Sequence, residues 1–402
     1  LQRRTSQFML QDNYTQDLPI FKGVIVKYFR ESEDNNSYEV FIEMPVKEHR
    51  CPHCGYTTTY IKDYRLQKVK DLSLAGKPLN VVIRKRRYIC KNCNSTFTEN
   101  NPYIKRYCHF PQRFYLEVIK ETFGLQSFSA IARRMGTSVT SVIRWFDNIN
   151  YPKAELPSCI AIDEFKGNAG GEKFQCNLAD PVKHKIIDIL PNRDSENLCK
   201  HFLEYPYEKR AKVKKVVMDL STLFCSVAKK IFPEAKIIAD KFHVIRVVTN
   251  SLENVRKRVQ KEFHDTKRKW FKRSRQLLLK PEYKLTDEDK IELNRMLNSS
   301  RELEKAWLLK ELFYEIFKEK ERKAAKHQLR DWLLLAAELS VPEFKHCITT
   351  FTNWRTEIAN IIGENISNGF IEGSNNKIKV LKRVCFGVQN FKRFRNRILN
   401  LN

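Results

Sequence analysis

The runs CIAID (159–163) and KVVMD (215–219) decide how this chain folds. Each gathers apolar residues over a length too short for a helix, the pattern of a strand buried on both faces, and each ends on an aspartate. KFQCNLAD (173–180), HKIIDIL (184–190) and KIIAD (236–240) repeat the pattern nearby. Between them, SENLCKHFLEY (195–205) and STLFCSVAKKIF (221–232) space their apolar residues as helices do, with Ser195 and Ser221 placed as N-caps. Strands alternating with helices predict an α/β fold, a sheet flanked by helices.

Asp163 and Asp219 then stand at strand ends, on the rim of a sheet where ligands gather. Taken singly, an aspartate at a strand end is more often a turn or cap residue. A third acid strengthens the pair. In GFIEGSNNKIKVLKRVCFGVQNFKRFRNR (369–397), Glu372 is the one carboxylate on a helix crowded with Lys and Arg. Asn376 and Lys379 share its face, and Lys382 and Arg383 extend the positive charge by a turn. Two aspartates and a glutamate offer oxygen ligands alone, the set that suits Mg²⁺ or Mn²⁺. Two such ions at one site activate a hydroxyl on one side of a phosphodiester and stabilise the leaving oxygen on the other. The competing account of residues 369–397 is a solvated basic helix with an incidental glutamate.

Cys51-Pro-His-Cys54 and Cys90-Lys-Asn-Cys93 are two CxxC pairs, a spacing that lets both thiolates of each pair reach one tetrahedral ion. Together they supply the four ligands of one structural Zn²⁺. The 35 residues between the pairs contain the basic strand-like segments YRLQKV (64–69) and LNVVIRKRRYIC (79–90), which can pair as a hairpin and bring the cysteines together. His53, Cys108 and His109 stand near enough in sequence to substitute as ligands. The rivals are four unrelated thiols and a redox CxxC, and duplication of the motif in so basic a segment argues against the second.

Residues 127–148, SFSAIARRMGTSVTSVIRWFDN, carry the spacing of a helix-turn-helix. Ala132 sits at the helix crossing, Gly136 in the turn, and Val142 and Trp145 on the inward face of the second helix. Thr140, Ser141 and Arg144 then point outward toward a major groove. Two packed helices without groove contact are the plainer alternative.

Lys and Arg number 74 against 47 acids in 402 residues, a formal charge of +27 spread over most of the length. A polyanionic partner, double-stranded DNA above all, is the simplest cause. Residues 1–14 lack an apolar stretch of signal-peptide length, and the longest apolar run, 332–337, is too short to span a bilayer. Eleven cysteines, an odd number with only four in close pairs, fit a reducing compartment better than a disulfide framework. A soluble, cytoplasmic protein is expected, without a membrane partner. VIVKYF (24–29) and SYEVFIEM (37–44) alternate well enough for a small hairpin.

The zinc segment with RRYICKNCNSTFTE (86–99), the helix-turn-helix, AIDEF (161–165), VVMDLS (216–221), ADKFHVIR (239–246) and IEGSNNKIKVLKRVCFGVQNFKRFRNRI (371–398), in this order, resemble the ISL3 family of insertion-sequence transposases. The likeness runs from about residue 48 to the C-terminus and is most specific in the acidic motifs and the last helix. It implies a bacterial, nucleoid-associated enzyme with an RNase H-like catalytic domain of the DDE class. Asp163, Asp219 and Glu372 are then its metal-binding triad, and Lys379 matches the basic residue that meets DNA two turns beyond the glutamate. The family phrase commonly reads Asp-Arg-Phe-His. Here Asp240-Lys241-Phe242-His243 keeps the charge and loses the bidentate fork. Asp240 and His243 either support the site or DNA, or serve structurally at the sheet edge.

Six segments follow. Residues 1–48 are an N-terminal segment, 49–104 a zinc-ribbon-like module, 105–157 the helix-turn-helix with a linker, and 158–243 the first part of the catalytic domain. Residues 244–362 are a helical insertion, because the stretch from Asp219 to Glu372 exceeds what an uninterrupted fold of this kind needs, and 363–402 complete the catalytic domain. The amphipathic stretch 303–317 is either a self-association surface or core packing. The expected function is a transposase that binds the terminal inverted repeats of its element, hydrolyses phosphodiester bonds at the ends and joins the 3′-OH to target DNA, working as a homodimer or higher assembly. A catalytically inactive DNA-binding regulator and a metal-dependent nuclease of the same fold are the alternatives.

Overall fold

A computed structural model describes residues 21–364, 366 and 369–401, so the stretch 1–14 read for a signal peptide lies outside the described residues. The chain forms two compact units, Leu1–Asn150 and Tyr151–Asn402.

In the first unit β1 (Ile25–Glu31) and β2 (Tyr38–Glu43) pair antiparallel, as the alternation of VIVKYF and SYEVFIEM predicts. They do not stand alone. After the short β3 (His49–Arg50) and β4 (Thr57–Thr58), β5 (Ile61–Leu74) and β6 (Lys77–Ile89) form a long antiparallel ribbon, and β7 (Thr96–Thr98) pairs with β6. Ala75 and Gly76 both have positive φ, the two-residue turn whose twist matches that of the strands it joins. Because β2 runs parallel to β6, one sheet of order β1-β2-β6-β5 spans the boundary expected at residue 48. Val40, Ile42, Val81 and Ile83 are its core.

Three helices complete this unit: α1 (Gln112–Glu121), α2 (Phe128–Met135) and α3 (Val139–Asp147). Ser127 and Ser138 cap α2 and α3, accepting from the N–H groups of Ala130 and Ser141 at 3.1 Å. Gly136 ends α2 in the left-handed region, φ 58°. Ile131, Ala132 and Val142 meet Phe114 and Val118 in the core, and Trp145 packs half-buried against Phe110, Phe114 and Tyr115. Buried Asp71 near the end of β5 accepts hydrogen bonds from Tyr103 and from Arg113 of α1, tying the ribbon to the helices.

The second unit is built on a mixed sheet of order β10-β9-β8-β11-β12. β8 (Cys159–Phe165), β9 (Gln175–Asp180) and β10 (Lys185–Leu190) run as an antiparallel meander, whereas β11 (Lys215–Met218) and β12 (Lys236–Ala239) lie parallel to β8. Between β10 and β11 come α4 (Ser195–Leu203) and α5 (Tyr207–Ala211), and α6 (Thr222–Ile231) links β11 to β12. Ser221 caps α6 as its position predicts, but Ser195 does not cap α4: it is the first helical residue, and Asp194 occupies the cap position. One sheet face, with Ile160, Ile162 and Leu178, packs with Phe202, Phe224 and Ile231.

α7 (Lys241–Val259) leaves the sheet and begins a helical stretch of α8 (Asp265–Arg273), α9 (Arg275–Leu279), α10 (Asp287–Leu297), α11 (Arg301–Ile316), α12 (Arg322–Leu339), α13 (Lys345–Asn353) and α14 (Arg355–Ala359). Its apolar residues join the same core as the sheet. α11 turns Leu303, Ala306, Leu309, Phe313 and Ile316 inward, so the stripe at 303–317 is spent on core packing. α15 (Gly369–Val384) and α16 (Phe391–Leu399) cover the other sheet face. Small Ala161 and Ala179 on β8 and β9 admit Ile371 of α15, which brings that helix close to the sheet. No described helix is long and apolar enough to cross a membrane.

Gly136→Ala places a Cβ in a left-handed backbone and against the Lys70 ammonium, which donates to the Gly136 carbonyl at 2.7 Å. Lys70 can yield; the backbone cannot. A loss of about 1 kcal/mol in the unfolding free energy of the first unit is expected by urea titration.

Candidate active site and metal centre

The two cysteine pairs converge. The sulfurs of Cys51, Cys54, Cys90 and Cys93 all lie within 4.8 Å of one another, with Cys51 to Cys93 at 3.6 Å and Cys54 to Cys90 at 3.4 Å. Four sulfurs held about 2.3 Å from one tetrahedral ion stand about 3.8 Å apart, so the cluster fits Zn²⁺. Local backbone builds it twice. Gly55 and Asn94, one residue past each pair, take positive φ and return their N–H groups to the carbonyls of Cys51 and Cys90 at 3.0 and 2.9 Å. Hydrogen bonds from Ser95 pull the Cys93 thiol down to about 6, whereas burial pushes Cys90 up to about 11. His53, Cys108 and His109 are not members of the cluster.

The second centre lies at the carboxyl ends of the parallel strands. Register places Ile162, Met218 and Ala239 side by side across β8, β11 and β12, so Asp163, Asp219 and Asp240 follow in one row. Asp163 accepts from the Glu164 N–H at 2.8 Å and from the Asn375 side chain at 2.7 Å. Asn375 in turn accepts from buried Asn177 of β9 at 2.9 Å. Burial, reinforced by the charge of Asp219, pushes the Asp163 carboxyl up to about 6. Burial also raises Asp219, with Glu164 and Asp240 adding to the rise and His243 opposing it. Asp219 Oδ1 is buried and accepts no hydrogen bond among the described residues. An anionic pair with an orphaned buried oxygen has the donor chemistry that could hold a hard cation.

Asp240 is buried, caps α7 by accepting from the Phe242 N–H at 3.3 Å, and holds His243 Nδ1 at 2.5 Å. That hydrogen bond raises the pKa of His243. Sequence reading left the role of these two open, and strand register was the signal that places Asp240 beside the other aspartates.

α15 runs along β8 and β9, with Ile371 over Ala161 and Ala179 and Asn375 over Asp163 and Asn177. Glu372 is exposed, one turn before Asn375, and the structure does not gather Asp163, Asp219 and Glu372 into one ligand cluster: among the described residues only the four cysteines form one. Asn376 and Lys379 are exposed with it and hydrogen-bond each other at 3.3 Å. Asn375, which the sequence reading passed over for Asn376, is the α15 side chain that touches Asp163. Lys382 donates to the Lys166 carbonyl at 3.2 Å, and Arg383 is exposed. On α3, Thr140 and Arg144 are exposed and Ser141 half-buried, its hydroxyl accepting from Ser138 at 2.9 Å.

Comparison with known proteins covers both centres. Residues 160–398 match a family described as transposase of the ISL3 type, residues 47–93 the zinc-finger of transposases IS204/IS1001/IS1096/IS1165, and residues 99–150 the helix-turn-helix domain of transposase family ISL3. The transposase for insertion sequence element IS1001 from Bordetella parapertussis is 21% identical over 388 residues, covering 94% of this chain and 95% of that one. The transposase for IS1557 from Mycobacterium tuberculosis (strain H37Rv) is 25% identical over 251 residues, 57% of this chain and 56% of the relative.

The raised carboxyl of Asp163 has a signed consequence. Between pH 4 and 6 the unfolded chain ionises this group before the metal-free folded unit does, so its contribution to stability falls as pH rises and the loss is complete above about 6. Asp163→Asn removes that loss. Urea titration in chelator is expected to show the variant gaining on the order of 2 kcal/mol on wild type between pH 4 and pH 7; an equal difference at both pH values contradicts the assignment.

Proposed function

Because the chain belongs to the ISL3 family of transposases, we propose that it binds the terminal inverted repeats of its own insertion sequence, hydrolyses phosphodiester bonds at the element ends and joins the freed 3′-OH to target DNA. The observation that carries the chemistry is the half-buried pair Asp163 and Asp219 with its orphaned oxygen. The sheet order, an antiparallel meander followed by two strands parallel to its first, supports an RNase H-like domain of the DDE class.

Asp163 and Asp219 would hold Mg²⁺ or Mn²⁺, with Glu372 as the third carboxylate from α15. Such ions, when bound, make a nucleophile of water at neutral pH and neutralise charge developing on phosphate oxygens. The chain's own groups do the rest. Asn375 fixes the orientation of Asp163, and Asp240 holds a proton on His243 Nδ1 beside Asp219. Lys379, Lys382 and Arg383 offer positive charge to the DNA backbone, as Asn376 offers an amide. The zinc module and α3, through Thr140, Ser141 and Arg144, would recognise the repeat. Two ends must meet, so at least two copies act together, in the cytoplasm where the DNA is.

Incubating the protein with labelled repeat DNA and Mg²⁺ separates this reading from its rivals. Binding without cutting points to a regulator, and cutting without joined product to a nuclease. Asp219→Asn is expected to lose cleavage and joining by at least a thousand-fold while binding stays within a few-fold. Cys51→Ala is expected to do the reverse of this at the first step: loss of Zn²⁺ unfolds the module, and repeat binding disappears.

A further inference from the structure

Phe386 is 94% exposed, the most exposed of the large apolar side chains among the described residues. A lone exposed apolar residue is ordinary, and exposure alone would carry nothing. The backbone beneath it is not ordinary. α15 ends in a Schellman turn: the Phe386 N–H returns to the Arg383 carbonyl at 3.1 Å and the Gly387 N–H to the Lys382 carbonyl at 3.0 Å. The left-handed residue of such a turn is usually glycine. Here it is Phe386, φ 53°, a conformation that a bulky side chain adopts only at a cost, and the ring recovers nothing by burial. A strained residue that gains no packing points to an external contact.

The surroundings say what kind. The turn is fastened to the connection after β8, with the Gly170 N–H on the Gln389 carbonyl at 2.8 Å and the Lys382 ammonium on the Lys166 carbonyl at 3.2 Å. Lys166 is three residues past Asp163, and Phe386 lies eleven residues beyond Asn375, so the ring stands about 16 Å along α15 from the contact with Asp163. Lys166 and Arg383 are exposed, and burial together with the nearby Lys166 charge lowers the pKa of Lys382. Two cations held this close attract phosphate. An apolar ring among phosphate-binding cations matches a nucleobase, which offers a π-face flanked by two phosphates.

We propose that Phe386 is a wedge that stacks on a nucleobase unstacked from DNA a few base pairs from the scissile phosphate, while Lys166, Lys382 and Arg383 hold the neighbouring phosphates. This rests on the transposase reading above and names how that site opens its substrate. Stacking would offset the cost of unstacking one step of the duplex.

The test uses the full chain with duplex repeat DNA, either intact or carrying an abasic position or mismatch at each step within several base pairs of the cut. Phe386→Ala is expected to slow cleavage of intact duplex about ten-fold or more with binding within three-fold, Phe386→Trp to keep most of the rate, and a pre-opened duplex to restore Phe386→Ala. Phe386→Gly should melt at a higher temperature than wild type yet cut as poorly as Phe386→Ala, an opposition that a structural role would not produce. Wild-type rates in Phe386→Ala, or equal slowing on intact and pre-opened duplexes, overturn the wedge alone. A wild-type chain that neither binds nor cuts any repeat DNA overturns the transposase reading and the wedge with it.

Discussion

Two carboxylates kept side by side with little water around them are the constraint on which the second unit depends. Asp163 and Asp219 repel each other, and burial removes the solvent that would soften the repulsion. What surrounds them offsets part of this. Asn375 and the Glu164 N–H donate to Asp163, and the charge of His243, held by Asp240, opposes the rise at Asp219. These donors leave Asp219 Oδ1 unsatisfied. A sheet edge selected for stability alone would carry apolar or singly capped residues here, and a cation is the group that could supply the missing attraction.

The same imbalance appears, with the opposite sign, over the rest of the chain. An excess of 27 positive charges costs stability by self-repulsion and favours a polyanion. On α15 the two signs meet, because one helix sets Asn375 against Asp163 and carries Lys379, Lys382 and Arg383 further along its length. Under the proposed function, a negatively charged backbone drawn to those cations would approach the row of aspartates favourably only across an intervening cation.

Features set by local spacing were legible in the sequence. Two CxxC pairs need only the ribbon between them to close, and SFSAIARRMGTSVTSVIRWFDN fixes two helices and their turn through its caps, a small residue and a glycine. The strands and their terminal aspartates followed from short apolar runs. Features set by tertiary placement were not legible. Asn375 and Asn376 are equal as residue types, and only the approach of α15 permitted by Ala161 and Ala179 turns the first toward Asp163. Likewise the pairing of β2 with β6 joins segments that composition had separated at residue 48, since a parallel neighbour leaves no mark in either strand. Ser195 reads as a cap because capping depends on where the helix starts, and that start shifted by one residue.

The helical stretch after β12 is mechanically part of the site. α7 begins at its Asp240 cap and carries His243 on its first turn, then buries Val244, Val248, Leu252 and Val255 in a core that continues through Phe313, Trp332 and Phe351. Densely packed interiors transmit displacement and do not absorb it. Moving α7 along its axis by even a fraction of a turn would therefore shift Asp240 and the imidazole against Asp219, whereas a loosely tethered domain would leave them in place. A displacement of the far helices thus has a stiff route to the acidic rim. The route runs through one helix whose cap is also a member of the aspartate row.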